Sequence, residues 1–187
     1  MYTLKIITST TRPGRKGPSI ADWVASVAQR HPDFSVEILD LGEIHLPLMD
    51  EPAHPAMRQY EHEHTKQWSA KIDEADAFII VTAEYNFSIT APLKNALDYV
   101  YHEWAYKPVG IVSYGGQSGG LRAAQVLKQV LTTLKMVPLV ESVALTFFNK
   151  LFDDEMNFQP TDSSERAADA MFKELARWTK ALQTLRA

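Results

Sequence analysis

The sequence predicts a three-layer α/β domain in which a five-stranded parallel sheet of order 2-1-3-4-5 carries helices on both faces. Short β-branched apolar runs bounded by turn residues alternate with longer stretches of helical spacing, the pattern of βαβ units. One run, Ala77 to Val81, is apolar throughout, as a strand covered on both faces must be. At 187 residues the chain suits a single domain, 1–187, with room for a sizeable core.

The expected elements follow in order. The first strand spans Leu4 to Ser9. Ser19 to Arg30 then places Ile20, Trp23, Val24 and Val27 on one helical face and stops before Pro32, where the pre-proline restriction disfavours helix. The second strand is Phe34 to Leu39, followed by a polar surface helix over about Ala56 to Ala75. The third strand, Ala77 to Thr82, leads to a helix over Thr90 to Trp104, with Pro92 in the first turn where a missing N–H costs nothing. Pro108 to Ser113, Leu121 to Met136, Leu139 to Leu145 and Ser163 to Leu185 complete the alternation. Gly42 to Pro55 and Asn149 to Thr161 are long enough to be working loops. In a sheet of this order the crevice lies beyond the carboxyl ends of the strands, near strands one and three, so function is expected in the loops after strands one, three and four.

Composition narrows the chemistry. Nineteen basic against 23 acidic residues leave a formal charge of −4, with no broad cationic field for nucleic acid or an anionic membrane. The absence of cysteine removes disulfides, thiolate nucleophiles and cysteine-held metal centres, and fits a reducing, cytoplasmic setting. The apolar runs are too short to span a bilayer and no signal-peptide pattern opens the chain, so a soluble, unprocessed protein is expected, with small molecules or protein as partners.

The first loop runs Ser9-Thr10-Thr11-Arg12-Pro13-Gly14-Arg15-Lys16-Gly17-Pro18-Ser19 into Ile20. Its hydroxyls, cations and glycines at a helix N-terminus suit a phosphate, because the first N–H groups there lack partners and carry partial positive charge. A basic surface turn capped by Ser19 would share this composition. The spacing is neither a Walker loop nor a dinucleotide fingerprint, which leaves a mononucleotide. The second loop, Ala83 to Ile89, sets Tyr85 and Phe87 beside Glu84 and Asn86, apolar faces and polar edges for a flat heteroaromatic ring. The third, Ser113-Tyr114-Gly115-Gly116-Gln117-Ser118-Gly119-Gly120, allows close backbone approach to a ligand. It also matches the Gly-x-Ser-x-Gly nucleophile elbow formally. That elbow needs a later histidine, and all 6 histidines precede Ser118.

At these three loops the sequence resembles the NADPH-dependent FMN reductase family, over about residues 3 to 145. The matching text is Ser9 to Arg15 with Gly17, Glu84 to Ser88 with Ala91-Pro92-Leu93-Lys94-Asn95-Ala96-Leu97-Asp98, and Ser113 to Gly116. Ser9 stands where many relatives have glycine and Thr90 where proline is usual. The resemblance implies a flavodoxin-like fold that binds FMN and passes hydride from NADPH or NADH to a small acceptor: a flavin, quinone, azo compound or metal oxyanion. It implies Ser9, Thr10, Thr11, Arg12, Arg15, Gly17, Pro18, Ser19 and Ile20 around the phosphate. By the same resemblance Glu84, Tyr85, Asn86 and Phe87 border the isoalloxazine, and Ser113, Tyr114, Gly115 and Gly116 lie at its pyrimidine end. No side chain is nominated as catalytic and none as a metal ligand. His62 and His64 are expected to point apart on a solvated helix. The large side chains Tyr99, Tyr101, His102 and Trp104 suit either core or a contact surface. Related reductases commonly dimerise near the flavin, so a homodimer or dimer of dimers is expected. Asp40, Asp50, Asp153 and Asp154 read as turn acids.

Overall fold

A computed structural model describes residues 1–186. The sheet is the expected 5-stranded one, with spatial order β2-β1-β3-β4-β5 and every neighbouring pair parallel. Its strands are β1 (Tyr2–Thr8), β2 (Phe34–Asp40), β3 (Ala77–Ala83), β4 (Pro108–Tyr114) and β5 (Val137–Leu145). All seven residues of β3 are buried, which is why its sequence shows no alternation. β1 starts earlier than its apolar run because Tyr2 pairs with Phe34 and its N–H donates to Asp33 O at 2.6 Å. The run likewise ends at Thr8, so Ser9 belongs to the loop.

Period-two alternation divides the core. Leu4, Ile6, Ile79, Val81 and Val112 face α1 (Gly17–Ala28) and the long helix α6 (Asp162–Leu182). Ile7, Phe78, Ile80, Val109 and Ile111 face α3 (Glu63–Asp73), α4 (Ala91–Asp98) and α5 (Leu121–Thr133). A short helix, α2 (Leu41–Ile44), occupies the start of the long loop that the sequence places at Gly42 to Pro55. The Asp40 carboxylate nucleates it by accepting from Gly42 N at 2.8 Å.

Two expected helices are shorter than their patterns. The stretch from Ala56 becomes a 3₁₀ turn, Pro55–Met57, then Arg58 at φ 52, and α3 starts only at Glu63. The Glu51 carboxylate takes the N–H groups of Glu61 and His62 at 2.8 and 3.0 Å, and His62 stays extended at ψ 141, so the helix cannot begin before Glu63. The second helix ends at Asp98 rather than Trp104, because the buried Glu103 carboxylate accepts Tyr101 N and the Trp104 indole donates to Leu97 O at 3.2 Å. Both partners would otherwise have come from a continuing helix. Tyr99 and Trp104 are fully buried and belong to the core.

The histidine pair departs from expectation. His62 is the residue before α3 rather than a helical one, so its ring stacks on that of His64, centroids 5.2 Å apart, with both bonded to Asp50. Among the described residues no group of three or more metal-ligating side chains is placed to hold an ion, and no helix is long and apolar enough to cross a membrane.

Candidate functional site

The parallel order brings the first, second and third loops side by side at the carboxyl edge of β1, β3 and β4. The first loop is anchored before it turns. Ser9 N donates to Val81 O at 3.1 Å, Ser9 Oγ to Thr82 Oγ1 at 3.2 Å, and Thr90 Oγ1 to Ser9 O at 2.8 Å. The two residues that depart from the family pattern, Ser9 and Thr90, therefore bond each other in a buried position.

The same geometry gathers hydroxyls at the start of α1. A β-carbon on Gly17 would lie 2.5 Å from Thr8 Oγ1, 2.6 Å from Thr10 Oγ1 and 3.2 Å from the Tyr114 hydroxyl. Only hydrogen fits there. Thr10 and Tyr114 share a hydrogen bond of 3.2 Å, while Thr8 Oγ1 is buried without a partner among the described residues. Burial pushes the Tyr114 phenol up to about 12, so it keeps its proton at neutral pH. Lys16, ahead of the helix, offers no side-chain cap, and Pro18 has no N–H, so the first turn of α1 carries the amides of Gly17 and Ser19 without a capping side chain from Lys16. Ile20 N is taken by Lys16 O and its side chain is core.

The cations of this loop diverge. Arg15 donates to Thr10 O at 3.1 Å and pairs with Asp40 at 2.5 Å and Glu43 at 3.0 Å, lying flat over Gly42, so it fixes the loop to the end of β2. Asp40, read as a turn acid, has this second partner. Arg12 is exposed, with its guanidinium 5.9 Å from the Tyr85 ring centre. Thr11 and Pro13 are exposed, and Gly14 turns the chain at φ 71.

The second loop is a two-residue turn closed by reciprocal bonds of 3.0 Å between Tyr85 and Ser88. Asn86 and Phe87, at φ 49 and 68, both occupy left-handed backbone, a conformation costing about 1–2 kcal/mol for a residue like Phe. It presents Tyr85 and Phe87 to solvent, 38% and 66% exposed. Glu84 instead turns inward, to Ser118 Oγ at 3.1 Å and Arg122 Nε at 2.6 Å. Burial pushes this carboxyl up, but those hydrogen bonds outweigh it and hold it below the ordinary carboxylate range. Ser118 thus has a carboxylate and a guanidinium as partners, with no histidine bonded to it among the described residues.

The third loop is compact. Ser113 Oγ donates to Gly119 O at 2.8 Å, and Gly119 and Gly120 take φ 60 and 78. Gly115 is buried against Gly120, and Gly116 is exposed with open space around it. Residues after β5 hold this loop from outside: Phe147 N donates to Gly116 O at 2.8 Å and Phe148 N to Gly115 O at 3.2 Å, with the Phe148 ring 5.1 Å from that of Tyr114. Thr8, Arg122 and Phe147 escaped the sequence reading. Of these, only the position of Thr8 at a strand end offered a sequence signal.

A family profile described as NADPH-dependent FMN reductase matches residues 3–150. An NAD(P)H-dependent FMN reductase of Schizosaccharomyces pombe is 46% identical over 143 residues, 75% of this chain and 71% of that protein. Another from Nectria sp. is 38% identical over 153 residues, 79% of this chain and 76% of its own. Among solved structures, the flavoenzyme NAD(P)H:(acceptor) oxidoreductase FerB of Paracoccus denitrificans superimposes with a TM-score of 0.77 over 97% of this chain and 98% of its own at 17% identity, a likeness of fold. Sequence match and architecture agree, and the chain belongs to the NADPH-dependent FMN reductase family.

Proposed function

We propose that this chain binds FMN at the carboxyl edge of its sheet and passes hydride from NADPH or NADH to a small acceptor, a flavin, quinone, azo compound or metal oxyanion. The observation that carries the reading is the cup at Gly17. Beside Gly17 at the start of α1 lie Thr8 Oγ1, buried with no partner among the described residues, and the Thr10 and Tyr114 hydroxyls, which share one hydrogen bond and keep one proton for a ligand; the three pack so close to Gly17 that a β-carbon there would displace them. A phosphate ester satisfies such a set of donors, and a neutral ligand would leave several unpaired. The residues present therefore fit the group.

In this reading Thr8, Thr10, Ser19, Tyr114 and the amides of Gly17 and Ser19 hold the phosphate, and Arg12 closes over it from the solvent side. Ser9, Arg15 and Pro18 shape the loop from behind. Bound FMN supplies the redox chemistry, taking hydride from the nicotinamide and returning electrons to the acceptor. Tyr85 and Phe87 give the ring and the incoming nicotinamide an apolar wall, with Asn86 holding the turn between them. The amides of Gly115 and Gly116 approach the pyrimidine edge, where hydrogen bonds favour developing negative charge. Ser113 keeps that loop compact through its bond to Gly119. A homodimer or dimer of dimers, contacting through the stretch after α4 where His102 remains exposed, and a cytoplasmic setting complete the proposal.

The test is the absorbance spectrum of purified protein with added FMN, followed by anaerobic bleaching with each nicotinamide. A flavin spectrum and turnover of NADPH or NADH are expected. A colourless protein that oxidises neither overturns the reading, and a yellow protein that no nicotinamide bleaches would be an electron carrier instead. Sedimentation at micromolar concentration tests the assembly.

A further inference from the structure

Arg122 opens α5 and lies outside every loop assigned above. Its guanidinium centre sits 3.7 Å from the centre of the Phe87 ring, well inside the range of a cation–π contact. The group that aims it there is Glu84. That carboxylate is 7% exposed and accepts from Arg122 Nε at 2.6 Å, from Arg122 N at 3.1 Å and from Ser118 Oγ at 3.1 Å; it also contacts Arg122 Nη2, which donates to Ser118 Oγ at 3.1 Å. One carboxylate thus binds both the backbone and the side chain of Arg122, leaving the flat face of the guanidinium to cover the ring.

Phe87 needs such a restraint. It is 66% exposed and held at φ 68 beside Asn86 at φ 49, so neither burial nor backbone preference keeps its side chain in place. The turn is closed by its two reciprocal backbone bonds, and the Phe87 ring takes this lateral contact from Arg122.

We propose that Arg122, held by Glu84, is a positioning residue that fixes Phe87 at the mouth of the site and so sets the apparent affinity for the nicotinamide donor. It rests on the reductase reading, with Phe87 as the apolar wall for the donor. Arginine is required over lysine: an ammonium can pair with Glu84 but cannot present a planar face to the ring while doing so.

The test uses Arg122→Ala and Arg122→Lys in two assays. In FMN-free protein, chymotryptic cleavage after Phe87 reads the freedom of the turn without reference to flavin or turnover. Both variants should be cut faster, by about fivefold for lysine, the worth of a partly exposed cation–π contact, and by about tenfold or more for alanine, which loses the charge-assisted bonds as well. In the FMN-loaded enzyme, both should raise KM for the nicotinamide by similar factors while kcat changes less than about twofold, the signature of lost binding equal in ground and transition states. Far-UV circular dichroism and thermal midpoint screen out unfolding; if alanine fails that screen, lysine alone decides. Wild-type cleavage rates in the lysine variant, or a fall in kcat at constant KM, overturn the proposal. If wild-type protein oxidises no nicotinamide, the reductase reading fails, and cleavage still judges the restraint on Phe87.

Discussion

The two ends of the sheet are built on opposite principles. A cavity of about 590 Å³ lies at the amino ends of the strands, between Arg58, Asp73, Asp76, Glu103, Lys107 and Arg186. Its polar groups are paired with one another. Lys107 Nζ donates to Ile72 O and Asp73 O at 2.7 and 2.9 Å, closing the C-terminus of α3. Glu103 accepts from Tyr60 at 3.0 Å and Ser69 at 2.7 Å, and Arg186 pairs with Asp76 at 3.0 Å. At the carboxyl edge a cavity beside Thr11, Leu41, Pro92 and Asn95 holds about 300 Å³, but there Thr8 Oγ1 has no partner among the described residues and α1 opens without a side-chain cap. Hydrogen-bonding capacity left over, rather than volume, sets the carboxyl edge apart from the amino end.

The sharpest way to break this comparison is to fill the cup. Gly17→Ala places a methyl group on the hydroxyls of Thr8 and Thr10, and should weaken FMN binding by about 3 kcal/mol, more than a hundredfold by fluorescence titration. An affinity within threefold of wild type would remove the cup from the phosphate site. Arg12→Ala deletes a charge-assisted contact from the open side and should cost about 1.5–3 kcal/mol of FMN affinity in the same titration.

The opposite end should answer to pH and stability while leaving the flavin indifferent. Burial pushes Lys107 down to about 8 from an ordinary 10.5, so between those values the unfolded chain binds more protons than the folded one and stability rises with pH. Urea unfolding should therefore show the wild type gaining about 1–2 kcal/mol on Lys107→Met between pH 7 and pH 9.5, with FMN affinity equal in the two proteins. A gap that stays constant with pH would mean that Lys107 titrates alike in both states. The smallest effect belongs to Tyr114→Phe, which keeps the packing on Phe148 and removes one donor from the cup. A loss of about 1 kcal/mol in FMN affinity, near fivefold, is expected by titration.

Most of the architecture was legible because it rests on period and punctuation. The apolar run of β3, the β-branched runs of β1 and β4, and Pro92 opening α4 each depend on residues close in sequence. Helix ends were less legible where a distant carboxylate decided them, as Glu51 does for α3 across ten residues. Within the site, the three loops could be located from strand order, but not the roles of their charged members. Arg15 finds Asp40 25 residues away and Glu84 finds Arg122 across 38, pairings that no local pattern encodes. Thr8 was harder to read for another reason: its position at a strand end was the one local signal, whereas its closeness to Gly17, nine residues on, appears only in three dimensions.

The turn at Asn86-Phe87 has an implication for engineering. Asn-Gly would satisfy the same pair of left-handed dihedrals without steric penalty, so selection for heat tolerance alone should favour glycine at position 87, with a gain of about 1 kcal/mol. The natural sequence keeps an aromatic there against that gradient. Thermostabilised libraries screened without a turnover assay would then drift toward variants that fold better and have lost the aromatic ring the natural turn keeps at position 87.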